Sequence, residues 1–216
     1  MKLLELDRLE IKPIERLGRV FPKGEMTLVF GLPGSGKTVS TLRELNKDGI
    51  KPIFFNLDHS VVDEDIETEM FDEKVLQYLF TEDIEDIRGS VVVIDTYTRL
   101  EPILQDLYYN QTGKKPSDLA IFKMLDYIRT KYDLTLIIIG HSVDYVGKDG
   151  IFKDNEIIIR NCFEYIYVDR KESSSTKKGK DDKKVTTITT TRYAKVGKGR
   201  GYSGDFILSD FGSNTL

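Results

Sequence analysis

Residues 31–38 read GLPGSGKT, a G-x-x-x-x-G-K-[ST] pattern. Gly31, Gly34 and Gly36 let the backbone curl so that successive N–H groups turn inward, and such a nest holds phosphate oxygens. Lys37 has the reach and the charge for the outer phosphates of a triphosphate, and the Thr38 hydroxyl is a magnesium ligand by type. The predicted nucleotide-contacting stretch is therefore Gly31, Leu32, Pro33, Gly34, Ser35, Gly36, Lys37, Thr38 and Val39. Such a pattern carries weight only between a strand and a helix. Both flanks fit: Met26 to Phe30 is short and apolar, and Val39, Leu42 and Leu45 recur at helical spacing before Lys47-Asp48-Gly49.

Three further segments place polar residues where apolar runs end. In VVVIDTYT (91–98), Asp95 follows four β-branched residues and sits at a strand's carboxyl end, where it suits a magnesium ion held through water. Thr96 beside it can cap the next segment. Hydrolysis also needs a carboxylate that positions water beside the terminal phosphate. Asp58, directly after the apolar FFNL, is the best-placed candidate, with Glu64 and Glu101 as competitors. In LIIIGHS, His141 leaves a strand end beside the same crevice, where a polar side chain can bond the terminal phosphate or the attacking water. A histidine satisfied by packing alone is the bland alternative.

Positioning these residues requires an alternation of strands and helices. Strands are predicted at 26–30, 50–57, 91–94 and 134–139, with helices between them, which argues an α/β fold: a mostly parallel sheet covered on both faces. Ile66, Met70, Val75 and Leu79 predict one amphipathic helix over 63–80, led by Asp63, Glu64 and Asp65. Residues 105–116 read as a polar loop. Ser117 can cap a helix whose buried face would be Leu119, Phe122, Leu125 and Ile128. Beyond 144–156, a polar loop, the pattern suggests a short helix at 157–162. Strands at 163–168, 186–193 and 206–208 would then form antiparallel hairpins on one sheet edge. The Ser-, Lys- and Asp-rich stretch 171–184 predicts a flexible basic loop.

Composition narrows the class. A chain of 216 residues is long enough to bury one core unaided, and a single domain over 1–216 with a short N-terminal segment, 1–20, is expected. One cysteine, Cys162, excludes an intrachain disulfide and any cysteine-rich metal cluster. No apolar run is long enough to span a membrane and no signal sequence is evident, so a cytoplasmic setting is expected. The net charge of -4 hides an asymmetry. Residues 171–200 carry ten Lys or Arg against three acids, whereas 58–86 carry twelve acids and one lysine. A local basic patch can bind phosphates on an acidic protein.

The order GLPGSGKT, FFNLDHS, VVVIDTYT, LIIIGHS and then the threonine-rich strand leading into TTRYAKVGKGRG resembles the RecA-like family of P-loop ATPases over about residues 20–210. It looks like the compact core of recombinases, their circadian-clock relatives and the small recombinase-like ATPases of bacteriophages. The resemblance implies a P-loop NTPase fold with a RecA-like core, with ATP and Mg2+ as ligands. It assigns Lys37 and Thr38 to phosphate and magnesium, Asp95 to magnesium and Asp58 to catalysis. The family more often has a glutamate at that last position. His141 falls where recombinases carry a glutamine coupling nucleotide to DNA. Lys195, Lys198 and Arg200 fall near the basic residues that such proteins insert into a neighbour's site, implying a homo-oligomeric ring or filament.

The DNA-facing loops of the family would match 105–116, with Tyr108, Tyr109, Lys114 and Lys115, and 144–156, with Lys148, Phe152 and Lys153. An aromatic among lysines can stack a base while the amines meet phosphates. The expected function is magnesium-dependent ATP hydrolysis coupled to single-stranded DNA recombination, annealing or replication support. A DNA packaging or translocation motor, a nucleoside or nucleotide kinase, and a non-enzymatic nucleotide-binding assembly module are the alternatives.

Overall fold

The computed structural model describes residues 15–18, 20–60, 62–141, 162, 164–178, 184–197 and 204–207. A small hairpin, β1 (Arg16–Leu17) and β2 (Phe21–Pro22), leads into β3 (Met26–Gly31) and α1 (Lys37–Asn46). Then come β4 (Ile53–Asn56), β5 (Glu69–Phe71), α2 (Glu73–Thr81) and β6 (Val91–Asp95). Two helices, α3 (Tyr97–Thr112) and α4 (Asp118–Lys131), precede β7 (Thr135–His141). The last strands are β8 (Glu164–Lys178), β9 (Lys184–Gly197) and β10 (Gly204–Ile207).

Strands β3 to β10 form one sheet in the order β10-β9-β8-β3-β7-β6-β4-β5. The six from β8 to β5 are parallel, and β9 and β10 add antiparallel to that edge. A side-chain period of two explains why the central strands are apolar throughout. Leu28, Phe30, Val92, Ile94, Leu136 and Ile138 pack with Leu76 of α2, Leu100 and Leu104 of α3, and Leu125 and Ile128 of α4. The intervening Val29, Val93, Ile137 and Ile139 pack on the opposite face with Leu42 and Leu45 of α1 and with Val20 and Phe21. Burying one such side chain fully stabilises by roughly 1.5–3 kcal/mol, so a slip of one residue in any central strand would exchange the two faces.

Register then brings the strand ends together. Gly31 is opposite His141, and Asp95 is opposite Ile139 on one side and Asn56 on the other. Thus β7 lies between the strands that carry the phosphate loop and Asp95, so these two strands are not neighbours. The far side of β3 is tied to β8, where the fully buried Glu164 accepts hydrogen bonds from Arg16 at 2.9 and 2.5 Å. Removing Arg16 would strand a buried charge.

Several predicted elements differ. Only Glu73–Thr81 of the expected 63–80 helix is helical; Glu69–Phe71 is instead an edge strand beside β4. The helix start is fixed by Asp72, whose carboxylate accepts from the Val75 N–H at 3.1 Å, so the upstream acids lead a turn. Residues 105–112, expected as loop, continue α3 to Thr112, and the chain turns at Gly113 with φ 68°. The face holding Leu100, Ile103 and Leu104 supplies the burial that the polar residues 105–112 do not advertise. Ser117 does cap α4, accepting from Ala120 N–H at 3.2 Å. Its buried face is Ile121, Leu125 and Ile128, with Phe122 only partly buried and Leu119 exposed. Residues 171–178 of the expected loop are the outer part of β8, laddered to β9. The expected loop 144–156 lies outside the described residues, as do residues 157–161 of the expected helix. Residues 1–14 and 19 of the N-terminal segment, and 179–183, lie outside them too. Cys162 is buried and free.

Candidate nucleotide-binding crevice

The phosphate loop leaves β3 at a point where no side chain fits. A Cβ on Gly31 would stand 2.1 Å from the Val168 carbonyl oxygen of β8 and 3.1 Å from Ser35 Oγ. Gly34 and Gly36 have φ of 72° and 87°, the left-handed region that glycine enters without steric cost. Gly36 also occupies the N-cap of α1, so no side chain caps that helix. The helix's leading N–H groups are thereby directed at whatever sits over the loop. Ser35 is 2% exposed, and its hydroxyl has no hydrogen-bond partner among the described residues.

Lys37 is buried, and its Nζ donates to the carbonyl oxygens of Gly31 at 3.0 Å and Leu32 at 2.9 Å. Burial lowers its pKa from 10.5 to about 8, against the opposing pull of the Asp95 and Asp58 charges. One carboxylate oxygen of Asp95 accepts from Thr38 Oγ1 at 2.6 Å and from Ser60 Oγ at 3.0 Å. Burial pushes the Asp95 carboxyl up; the hydrogen bonds from Thr38 and Ser60 partly offset this. The loop that delivers Ser60 is fixed from below. Asn56 at the end of β4 exchanges two 2.8 Å hydrogen bonds with the Ser60 backbone, and the Asp95 carbonyl accepts from the N–H groups of Leu57 and Asp58.

Beside this cluster, Asp58 is half-buried, with His141 Nε2 3.4 Å from one oxygen and Arg99 Nε 3.5 Å from the other. Both contacts are long for hydrogen bonds, which leaves the carboxylate able to take a different donor. Asp95–Thr96 is a cis peptide bond, and Thr96 Oγ1 is 2.8 Å from Thr98 Oγ1. Glu101, a competitor for the role of base, accepts instead from Gln105 along α3, and Glu64 is exposed in the turn before β5.

The structure therefore brings together Lys37, Thr38, Asp95, Asp58 and His141, all singled out by sequence. It adds Ser60, Asn56 and Arg99, which sequence reasoning did not assign. Asn56 and Ser60 lie within the quoted FFNLDHS, and an amide four residues before a serine was the available signal. Tyr108 and Tyr109 lie on α3, and Lys114 and Lys115 lie in the turn after it. Lys195 is in β9; Lys198 and Arg200 lie outside the described residues.

Hydroxyl and carboxylate oxygens at Thr38, Asp95 and Ser60 are the hard donors that suit magnesium. Among the described residues no group of three His, Cys, Asp or Glu could hold a metal by itself. A magnesium ion usually keeps several waters and takes the rest of its oxygens from phosphates and one or two carboxylates. The loop fits triphosphate through the partnerless Ser35 hydroxyl and the glycine-lined turn.

No protein-family model and no curated protein matches the sequence. Solved structures do match. One is a KaiC-like protein, PH0186, from the hyperthermophilic archaeon Pyrococcus horikoshii OT3. It is 16% identical, with a TM-score of 0.54 over 94% of this chain and 98% of that one. The fold is thus a RecA-like P-loop α/β core. At that identity the likeness speaks to architecture, and activity has to be argued from the site.

Proposed function

We propose that this chain is a magnesium-dependent ATPase that acts on nucleic acid, with single-stranded DNA as its partner and a ring or filament as its working form. One observation carries the nucleotide reading: the 2.6 Å contact between Thr38 and Asp95, which joins the end of the phosphate loop to a strand end two strands away. Magnesium held there would neutralise charge on the phosphates. Thr38 and Asp95 would hold the ion, with Ser60 orienting the carboxylate.

Lys37 exchanges its two carbonyl acceptors for phosphate oxygens, and the added negative charge restores its full protonation. Asp58 aligns a water for attack and takes up its proton; His141 sits close enough to stabilise the carboxylate or to bond the terminal phosphate. A basic residue from a neighbouring copy, from the group Lys195, Lys198 and Arg200, completes the charge stabilisation. Recombination, annealing or replication support by a phage-type protein is the biological role that suits this reading.

The test is magnesium-dependent phosphate release from ATP, alone and with single-stranded DNA, duplex DNA or RNA. Stimulation by single-stranded DNA is expected. Absence of phosphate release under every condition would overturn the reading.

A second reading has one observation in its favour. A cavity of about 620 Å3 adjoins Asp58, lined by Leu57 and His59 on either side of it, by Arg99, and by Gln77, Asp106 and Asn110. A small hydroxylic acceptor seated there would make the protein a phosphotransferase. Chromatographic separation of the products formed from ATP plus a nucleoside panel distinguishes the two: a phosphorylated acceptor favours transfer, free phosphate favours hydrolysis.

A further inference from the structure

β8 and β9, the longest of the described strands, run well past the partners that tie them into the sheet. β8 pairs with β3 only over Glu164–Tyr167, and β10 pairs with β9 only over Tyr193–Val196. From Val168 to Lys178, β8 is laddered to β9 alone among the described strands, in a register that ends at Lys178 opposite Lys184. Eleven residues at about 3.3 Å each make a two-stranded ribbon roughly 35 Å long. It begins at Val168, whose carbonyl oxygen abuts the first glycine of the phosphate loop. Since β8 is parallel to β3, the ribbon continues past the strand end that carries that loop. Ser173 to Thr176 are exposed.

The register sorts its charges. Alternate positions share a face. One face takes the opposed pairs Arg170–Arg192, Glu172–Thr190, Ser174–Ile188, Thr176–Thr186 and Lys178–Lys184. It therefore has four basic positions against one acidic, and two of its five pairs set like charges directly opposite each other, which destabilises a ladder. The other face has Lys171 and Lys177 against Asp169, with no like-charge pair.

We propose that the face defined by Arg170, Arg192, Lys178 and Lys184 binds the phosphate backbone of nucleic acid. Phosphates placed along it relieve both repulsive pairs. The Ser and Thr positions between them are hydrogen-bond donors of the kind that bind phosphate oxygens. The two basic pairs are eight residues apart, about 27 Å, a length over which one strand of a duplex carries about eight phosphates. This deepens the nucleic-acid part of the proposed function and is independent of its ATPase part.

The experiment measures binding of fluorescently labelled single-stranded DNA, duplex DNA and RNA to the full chain, without nucleotide, across a salt series. The variant carries Arg170→Gln, Arg192→Gln, Lys178→Gln and Lys184→Gln; the control carries Lys171→Gln and Lys177→Gln. The four-site variant is expected to bind roughly 10- to 100-fold more weakly, and its slope of log affinity on log salt to be lower by about 3, at ~0.7–0.9 per phosphate lost. It should melt at the same temperature or higher, because two repulsive pairs are gone, and its ATP turnover without polymer should match the parent's. The control should retain most of the affinity. Equal losses in variant and control, an unchanged salt slope, no binding of any polymer by the parent, or tighter binding of polyglutamate than of nucleic acid would each overturn the proposal. Absence of ATP turnover in the parent with normal polymer binding would instead strike the ATPase reading and leave this one standing.

Discussion

The crevice at the end of β3 and the ribbon of β8 and β9 meet at Val168, yet they hold charge in opposite ways. In the crevice, Lys37 and Asp95 are buried, and burial works against the ionised form of each. The ribbon sets like charges opposite one another at register positions. Both arrangements cost stability, but not equally. Desolvation acts at full strength whatever the salt, whereas repulsion between like charges is screened by salt over a Debye length of about 8–10 Å wherever water reaches them. A buried charge can be kept only where neighbours fix its position, and here the neighbours are the strand ends, the glycine turn and Ser60. Past Tyr167, the ladder to β9 is what the described strands offer β8.

The largest expected effect tests the point of contact. Gly31→Ala puts a Cβ against the Val168 backbone and should force β3 from β8, lowering unfolding free energy by at least ~3 kcal/mol or preventing folding. An unchanged denaturant midpoint would mean that ribbon and crevice are not rigidly joined.

Next comes Lys37→Met, which should cut ATP turnover by at least ~100-fold while raising stability by ~1–2 kcal/mol. The pH profile identifies the cause. With the folded pKa near 8 and the unfolded one near 10.5, the unfolded chain binds more protons between those values, so parent stability rises with pH across that window. The Met variant should lack that rise. A parent profile that is flat from pH 8 to 10.5 would remove the claim that desolvation dominates at Lys37.

The smallest effect separates the two regions by a single hydroxyl. Ser60→Ala deletes a hydrogen bond to a buried carboxylate and should cost about 1–2 kcal/mol, and the magnesium dependence of turnover should shift to higher pH as Asp95 becomes harder to ionise. Ser174→Ala, exposed on the ribbon, should change stability by less than ~0.5 kcal/mol. Equal effects at the two serines would erase the contrast.

Much of the crevice was legible because its residues sit next to unmistakable neighbours. Asp95 ends a four-residue β-branched run, Asp58 follows FFNL and His141 ends LIIIG, so each strand end announced its own polar residue. Ser60 and Arg99 were harder to read: the one local signal for Ser60 is the amide of Asn56 four residues earlier, which folds its loop back, and Arg99 reaches Asp58 from the first turn of a helix. Helix α3 was not predicted: residues 105–112 are mostly polar and read as loop, while the apolar face that anchors the helix lies in its first half, at Leu100, Ile103 and Leu104. The 63–80 segment failed differently. Its apolar spacing fits a helix, but Glu69–Phe71 gains a backbone ladder against β4 that no local pattern reveals. Residues 171–178 look too polar for a strand, and the ladder to β9 is what the local pattern does not reveal.

Local chemistry was thus settled by the chain itself: a glycine turn between an apolar strand and a helix has few other uses, and the residue types at the strand ends follow from alternation and length. Strand order belongs to the folded molecule. Nothing in sequence puts β7 between β3 and β6, or sets Arg170 opposite Arg192, because both depend on which surfaces far apart in the chain bury each other and on hydrogen-bond ladders that any residue's backbone can make.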